Sequence, residues 1–163
     1  MIELYIHAFM KAAQKSRMAE HLPVQLPCAC ANLRRAARMV TQLYDDALRP
    51  TGLRATQFTL LQALNLAPGI SQKELAALLG IDSTTLTRTL SLLRRKGWIR
   101  AGTGSDRREL HLLLTPAGQR EYERVLPYWR VAQKRLQEAL GEANWNQVIK
   151  AAVTTAKVAP KSD

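Results

Sequence analysis

The spacing of apolar residues changes once in this chain, and that change restricts the fold more than any other feature. Upstream of Gly97 and downstream of Thr115-Pro116 apolar residues recur every three or four positions. Between them, in Trp98-Ile99-Arg100-Ala101 and Glu109-Leu110-His111-Leu112-Leu113-Leu114, the period is two. Two short strands around the polar stretch 102–108 make a β-hairpin whose Gly-rich tip projects into solvent. The chain therefore reads as mainly α with one small β-hairpin.

The helices around the hairpin carry their own start and stop signals. From Cys28 to Leu48 the residues Leu33, Ala36, Ala37, Val40, Leu43, Tyr44, Ala47 and Leu48 keep the helical period, and Arg49-Pro50-Thr51-Gly52 ends the run. A second helix spans about Thr56 to Leu66 with Phe58, Leu61 and Leu64 on one side, closed by Pro68-Gly69. Ser71 and Glu74 form a capping box for a third, in which Leu75, Leu78 and Leu79 supply the buried face and Gly80 the stop. Asp82 caps a fourth, which runs to Lys96 with Gly97 as terminator.

Thr115 then caps a long helix with Pro116 in its first turn. Tyr122, Val125, Leu126, Trp129, Leu136 and Leu140 hold the helical spacing, Pro127 predicts a kink, and Gly141 interrupts the run. Trp145, Val148, Ile149, Ala152 and Val153 make the last segment amphipathic.

The fourth helix has the informative surface. Leu86, Leu90 and Leu93 form its apolar stripe. At about 100° per residue the opposite face carries Thr84, Arg88, Ser91 and Arg95, with Thr87 on a flank. Such a small, hydroxylated, cationic face suits a major groove about 12 Å wide, where arginine reads guanine O6 and N7. Arg88 is placed for bidentate guanine readout, Ser83 and Thr85 for phosphates or base edges, and Arg95 for phosphate. The plain alternative is a solvated polar face on an ordinary helix.

Charge points the same way. The 163 residues hold 24 Lys and Arg against 13 Asp and Glu, a net charge of +11, which attracts polyanions. No apolar run approaches the ~18 residues of a membrane helix, so a transmembrane role is excluded. Met1 to Met10 carries Glu3 and His7 and lacks a basic start, so it does not read as a signal peptide, and the default address is the cytoplasm, in association with the nucleoid.

Three short helices and a hairpin between long helices is the order of a winged helix-turn-helix flanked by N- and C-terminal dimerisation helices. The segment Leu93–Gly118 is similar to the MarR family of bacterial winged-helix transcription regulators. Asp106-Arg107-Arg108, five more residues, then Leu114-Thr115-Pro116-Ala117-Gly118 match that family's Asp-x-Arg followed by Leu-Thr-x-x-Gly. Leu86-Thr87-Arg88 and Gly97-Trp98-Ile99 resemble its recognition helix and the exit into the wing. The resemblance extends over roughly Leu33 to Leu140.

It implies that Arg108 at the wing tip enters the minor groove, that Asp106 holds the wing in shape, and that Arg107 meets phosphate. Narrow minor grooves favour an inserted guanidinium. For Asp106 a turn residue satisfying backbone amides is the alternative. The resemblance also implies a homodimer on double-stranded DNA at a pseudo-palindromic operator, most often as a repressor. Its domains would be 1–27 as a helical, dimer-associated extension or a loose arm, 28–52 as a scaffold helix, 53–115 as the DNA-binding lobe, 116–158 as C-terminal dimerisation helices and 159–163 as a loose tail.

Relatives in such a family respond to phenolic or other anionic small molecules, or to cysteine oxidation. Tyr44, Phe58, Tyr122 and Trp129 can line a pocket between helices, although aromatics at helical spacing are more often core. Cys28 and Cys30 sit at a helix start, where unpaired backbone amides favour a thiolate. Three readings stay open for them: small buried hydrophobes, a redox or electrophile switch, or metal binding with a histidine. His7, His21 and His111 have no metal-ligand spacing, and no zinc motif is present. No cofactor is implied.

Two other functions were weighed. A sequence-tolerant architectural DNA binder would need only the charge and not the Thr84, Thr87, Arg88 face. An enzyme is disfavoured, because no phosphate loop, nucleophile elbow or paired zinc ligands are present and Gly102-Thr103-Gly104 lacks a dinucleotide-binding context.

Overall fold

A twenty-residue helix, α1 (Ala29–Leu48), stands first in the computed structural model, which describes residues 27–103 and 110–158. It ends in a 3-10 turn, Arg49–Thr51, closed by Gly52 at φ 76, a left-handed conformation that glycine adopts without a Cβ penalty. Thr51 seals this turn by donating to the Leu48 carbonyl at 2.7 Å and accepting from Leu53 N at 3.2 Å.

Helix α2 (Ala55–Leu66) follows. Beyond the expected Phe58, Leu61 and Leu64 it also buries Leu60 and Ala63, because α1, β3 and the last helix all pack on it. Its start is capped from α1: Ala55 N donates to Asp45 Oδ1 at 2.7 Å, and Arg54 Nη1 reaches Asp45 Oδ2 at 3.2 Å. That cap fixes the angle at which the lobe leaves α1.

A two-residue strand, β1 (Ile70–Ser71), leads into α3 (Gln72–Leu79). The capping box forms as expected, with Glu74 N donating to Ser71 Oγ at 3.2 Å and Ser71 N to Glu74 Oε2 at 2.9 Å. Leu75 is fully buried and Leu79 packs against the core, but Leu78 is 62% exposed, contrary to the expected buried trio. Leu79 lies about 40° around the helix from Leu75, whereas Leu78 lies about 60° away on the other side, facing solvent.

Helix α4 (Ser83–Arg95) is capped by Asp82, whose Oδ1 accepts from Thr85 N at 2.8 Å. Strands β2 (Ile99–Thr103) and β3 (Leu110–Leu114) come next, and α5 (Pro116–Val158) closes the described chain. Pro127 lies inside α5 with helical dihedral angles and is exposed, where water can serve the carbonyl it leaves unpaired. The interruption expected at Gly141 is there, with φ 72 and ψ 160.

The three strands form one antiparallel sheet in the order β1-β3-β2, with Ile70 opposite Leu112 and Ala101 opposite Leu112 on the other side. β1 was not expected, since two residues are too few to show a period. Its register is reinforced by His111, whose Nδ1 donates to the Gly69 carbonyl at 2.5 Å. The core gathers Leu48, Phe58, Leu61, Leu75, Leu86, Leu90, Leu93, Leu112 and Val125 beneath this sheet and between the helices. Each such side chain contributes about 1.5–3 kcal/mol by leaving water.

Gly118 lies hard against the backbone of Trp98. A Cβ there would lie 1.9 Å from the Trp98 carbonyl oxygen, which itself accepts from Thr115 N at 2.9 Å. Thr115 Oγ1 accepts from Gly118 N at 3.0 Å and donates to the Gly97 carbonyl at 2.6 Å. One threonine thus ties the start of α5 to the exit from α4. No described helix is long and apolar enough to cross a membrane.

Candidate nucleic-acid interface

Burial of Leu86, Leu90 and Leu93, each at 0% exposure, turns the other side of α4 outward. Ser83, Thr84, Thr87 and Arg88 line one shallow, open concavity there. Gln72, at the start of α3, reaches across to it and donates from Nε2 to Thr87 Oγ1 at 2.8 Å.

The other hydroxyls of the helix serve the helix itself. Thr85 Oγ1 donates to Asp82 Oδ2 at 2.6 Å, and Ser91 Oγ, half-buried, donates to the Thr87 carbonyl at 2.8 Å. Hydrogen bonds from the Thr85 hydroxyl and backbone amide hold the Asp82 carboxyl below its ordinary value, so it stays ionised at the helix start. Arg95 is exposed, about 10 Å further along the axis than Arg88.

The expected contact set therefore divides. Ser83, Thr84, Thr87 and Arg88 come together, Thr85 and Ser91 have their hydroxyl hydrogens engaged within the helix, and Arg95 stands apart. Asp106, Arg107 and Arg108 lie outside the described residues.

Two further cations of the lobe were not in the sequence-derived set. Arg100 is exposed on β2, and Lys96 Nζ, just past the end of α4, sits 4.4 Å from the centre of the Trp98 ring, a cation–π contact. Gln72 was also missed. Its one sequence signal is its place directly after the capping Ser71, which makes it the first residue of the helix that packs beside α4.

Tyr44, Phe58, Tyr122 and Trp129 do converge, where α1, α2 and α5 meet. Phe58 stacks on Tyr122 at 5.5 Å between ring centres, and Trp129 lies 6.1 Å from Phe58 and 6.5 Å from Tyr44. The Tyr44 hydroxyl donates to Gln133 Oε1, and burial raises its pKa above the ordinary tyrosine value. Ring packs on ring, with Phe58 1% exposed. This is the core arrangement expected of aromatics at helical spacing.

Cys28 and Cys30 are both exposed at the start of α1. The reading of them as buried hydrophobes is therefore corrected: neither thiol is covered by the described residues of this chain. Among the described residues, no three His, Cys, Asp or Glu side chains are grouped to hold a metal.

The chain matches the MarR family over residues 51–109. An HTH-type transcriptional regulator of Bacillus subtilis, YwoH, is 30% identical over 93 residues, which span 57% of this chain and 68% of the relative. The chain belongs to the MarR family. Solved MarR-type structures extend the likeness to the fold. The transcriptional regulator MosR of M. tuberculosis, determined in complex with DNA, is 38% identical with a TM-score of 0.71, over 80% of this chain and 94% of that one. The transcriptional repressor CouR, bound to a 23-mer DNA duplex, is 27% identical with a TM-score of 0.71, over 83% and 99%. The family and the fold are those of winged-helix transcriptional regulators, not of enzymes.

Within this MarR fold the Leu-Thr-x-x-Gly stretch acquires a physical reason. Thr115 and Gly118 of the Leu-Thr-x-x-Gly stretch are the hydroxyl and the missing side chain that let α5 start against Trp98.

Proposed function

We propose that the protein is a homodimeric repressor that reads a pseudo-palindromic operator in double-stranded DNA, with α4 in the major groove and Arg107 and Arg108 of the wing on phosphate and in the adjacent minor groove. The observation that carries this reading is the division of α4. Three leucines are wholly buried, and on the exposed side of the helix Ser83, Thr84, Thr87 and Arg88 share one open concavity. Phosphate binding alone needs cations but no such set of hydroxyls.

Homodimerisation is supported by what a single chain leaves uncovered. Leu33 and Met39 on α1 and Val148, Ile149, Val153 and Val158 on α5 are exposed large hydrophobes near the two ends of the described chain. A second copy would cover them, which makes 28–52 and 116–158 the dimer frame and 53–115 the reading lobe.

Release follows from the lobes' spacing. An anionic or phenolic ligand, or modification of the exposed Cys28 and Cys30, relieves repression by favouring the spacing that does not fit the operator, and it can do so only through different affinity for the two arrangements.

The test is selection of bound fragments from the source genome by purified, reduced protein at about 0.15 M salt, where purely electrostatic binding is weakened. Recovery of one inverted repeat near a few promoters is the expected result. A pool without a common sequence overturns the reading in favour of an architectural binder. Arg108→Ala is expected to weaken binding to the recovered site without lowering thermal stability.

A further inference from the structure

A threonine hydroxyl has one hydrogen to give and two lone pairs to receive with, so on a DNA-facing helix it can read either a donor or an acceptor. Thr87 keeps only part of that freedom. The Gln72 amide donates to its Oγ1 at 2.8 Å and occupies one lone pair, and the hydroxyl hydrogen finds no acceptor among the described residues. Thr85, Thr89 and Ser91 on the same helix differ in that each donates its hydrogen to the protein.

Gln72 is itself held firmly. It follows Ser71, which is 4% exposed, capped reciprocally with Glu74 and paired with His111 in the sheet. The amide thus hangs from one of the most constrained points of the lobe and reaches across the gap between α3 and α4.

We propose that Gln72 is a positioning residue for sequence readout: it fixes the rotamer of Thr87 and, by taking one of its two lone pairs, biases that hydroxyl toward donating to one acceptor on a base edge in the major groove. Purine N7, guanine O6 and thymine O4 are the acceptors available there, and the exocyclic amino groups of adenine and cytosine are left a single lone pair to donate to. Gln72 acts through Thr87 and does not contact the base. This inference rests on the reading of α4 as the recognition helix.

The test compares the full-length wild-type protein with Gln72→Met, Thr87→Val, the double variant and Thr87→Ser, on the selected operator and on every single base-pair change within it, at one salt concentration. Gln72→Met keeps the length of the side chain and removes the amide. It should reduce discrimination about three- to tenfold, the range of one hydrogen bond, at one base pair in each half-site. Thr87→Val should lose discrimination at that same base pair, the double variant should lose no more, and Thr87→Ser, which keeps the hydroxyl, should retain it.

Thermal midpoints are measured alongside, because a merely structural Gln72 would move stability and weaken all sites alike. A uniform loss of affinity, a loss at a different base pair, or additive losses in the double variant would overturn the proposal while leaving the regulator reading intact. Failure of the wild type to select any sequence would overturn both.

Discussion

Gly118 has no side chain because the Trp98 carbonyl occupies the place where a Cβ would be, 1.9 Å away. Backbone on backbone cannot yield as a flexible side chain does, so Gly118→Ala is expected to destabilise the protein by about 3 kcal/mol, read from chemical denaturation. Two capping carboxylates make stability depend on acid. Glu74 is held below its ordinary value first by the backbone amide of Ser71, and Asp82 first by the Thr85 hydroxyl. With folded-state pKa values below the unfolded ones, the unfolded chain binds more protons in that window. Their contribution is therefore complete at neutral pH and is lost as pH falls through the depressed folded values. Urea midpoints measured from pH 7 to pH 3 should decline, and Asp82→Ala should decline less steeply.

At the scale of elements, α4 has two faces with separable roles. Leu90→Ala opens a cavity in the core at a fully buried position and is expected to cost about 2–5 kcal/mol of stability. Arg88→Ala, on the exposed face, should leave the thermal midpoint within about 0.5 kcal/mol of wild type. It should instead weaken operator binding by about 1–3 kcal/mol through one lost bidentate contact, seen in fluorescence anisotropy. The period of the leucines and the Asp82 cap already placed this helix in the sequence, because both signals are local. Leu78 was misplaced for the opposite reason: in an eight-residue helix the apolar arc is broader than the arc that finds a partner, and only packing chooses between its edges.

At the scale of the whole molecule, α1 and the end of α5 expose large apolar side chains that the proposed dimer would cover. Met39 is 66% exposed and Val153 52%. Val153→Asp should leave the lobe folded but weaken self-association by more than about tenfold, measured by sedimentation, and operator affinity should fall with it because two half-sites are read together. Asp45 on α1 caps α2 at the entry to the lobe, and Arg124 Nη2 on α5 donates to the Thr51 carbonyl at 3.0 Å in the turn just before it.

The amino-acid order by itself determined the helices, their caps and stops, the switch to a hairpin and the outward residues of α4, since each depends on neighbours within four positions along the chain. The three-dimensional arrangement alone decided the rest. β1 exists only because β3 offers it a ladder. The aromatic quartet meets only because three helices bring it together, and the link from Gln72 to Thr87 spans fifteen residues of sequence in one 2.8 Å contact. Such contacts depend on where distant segments meet, and periodicity and local propensity carry no record of that.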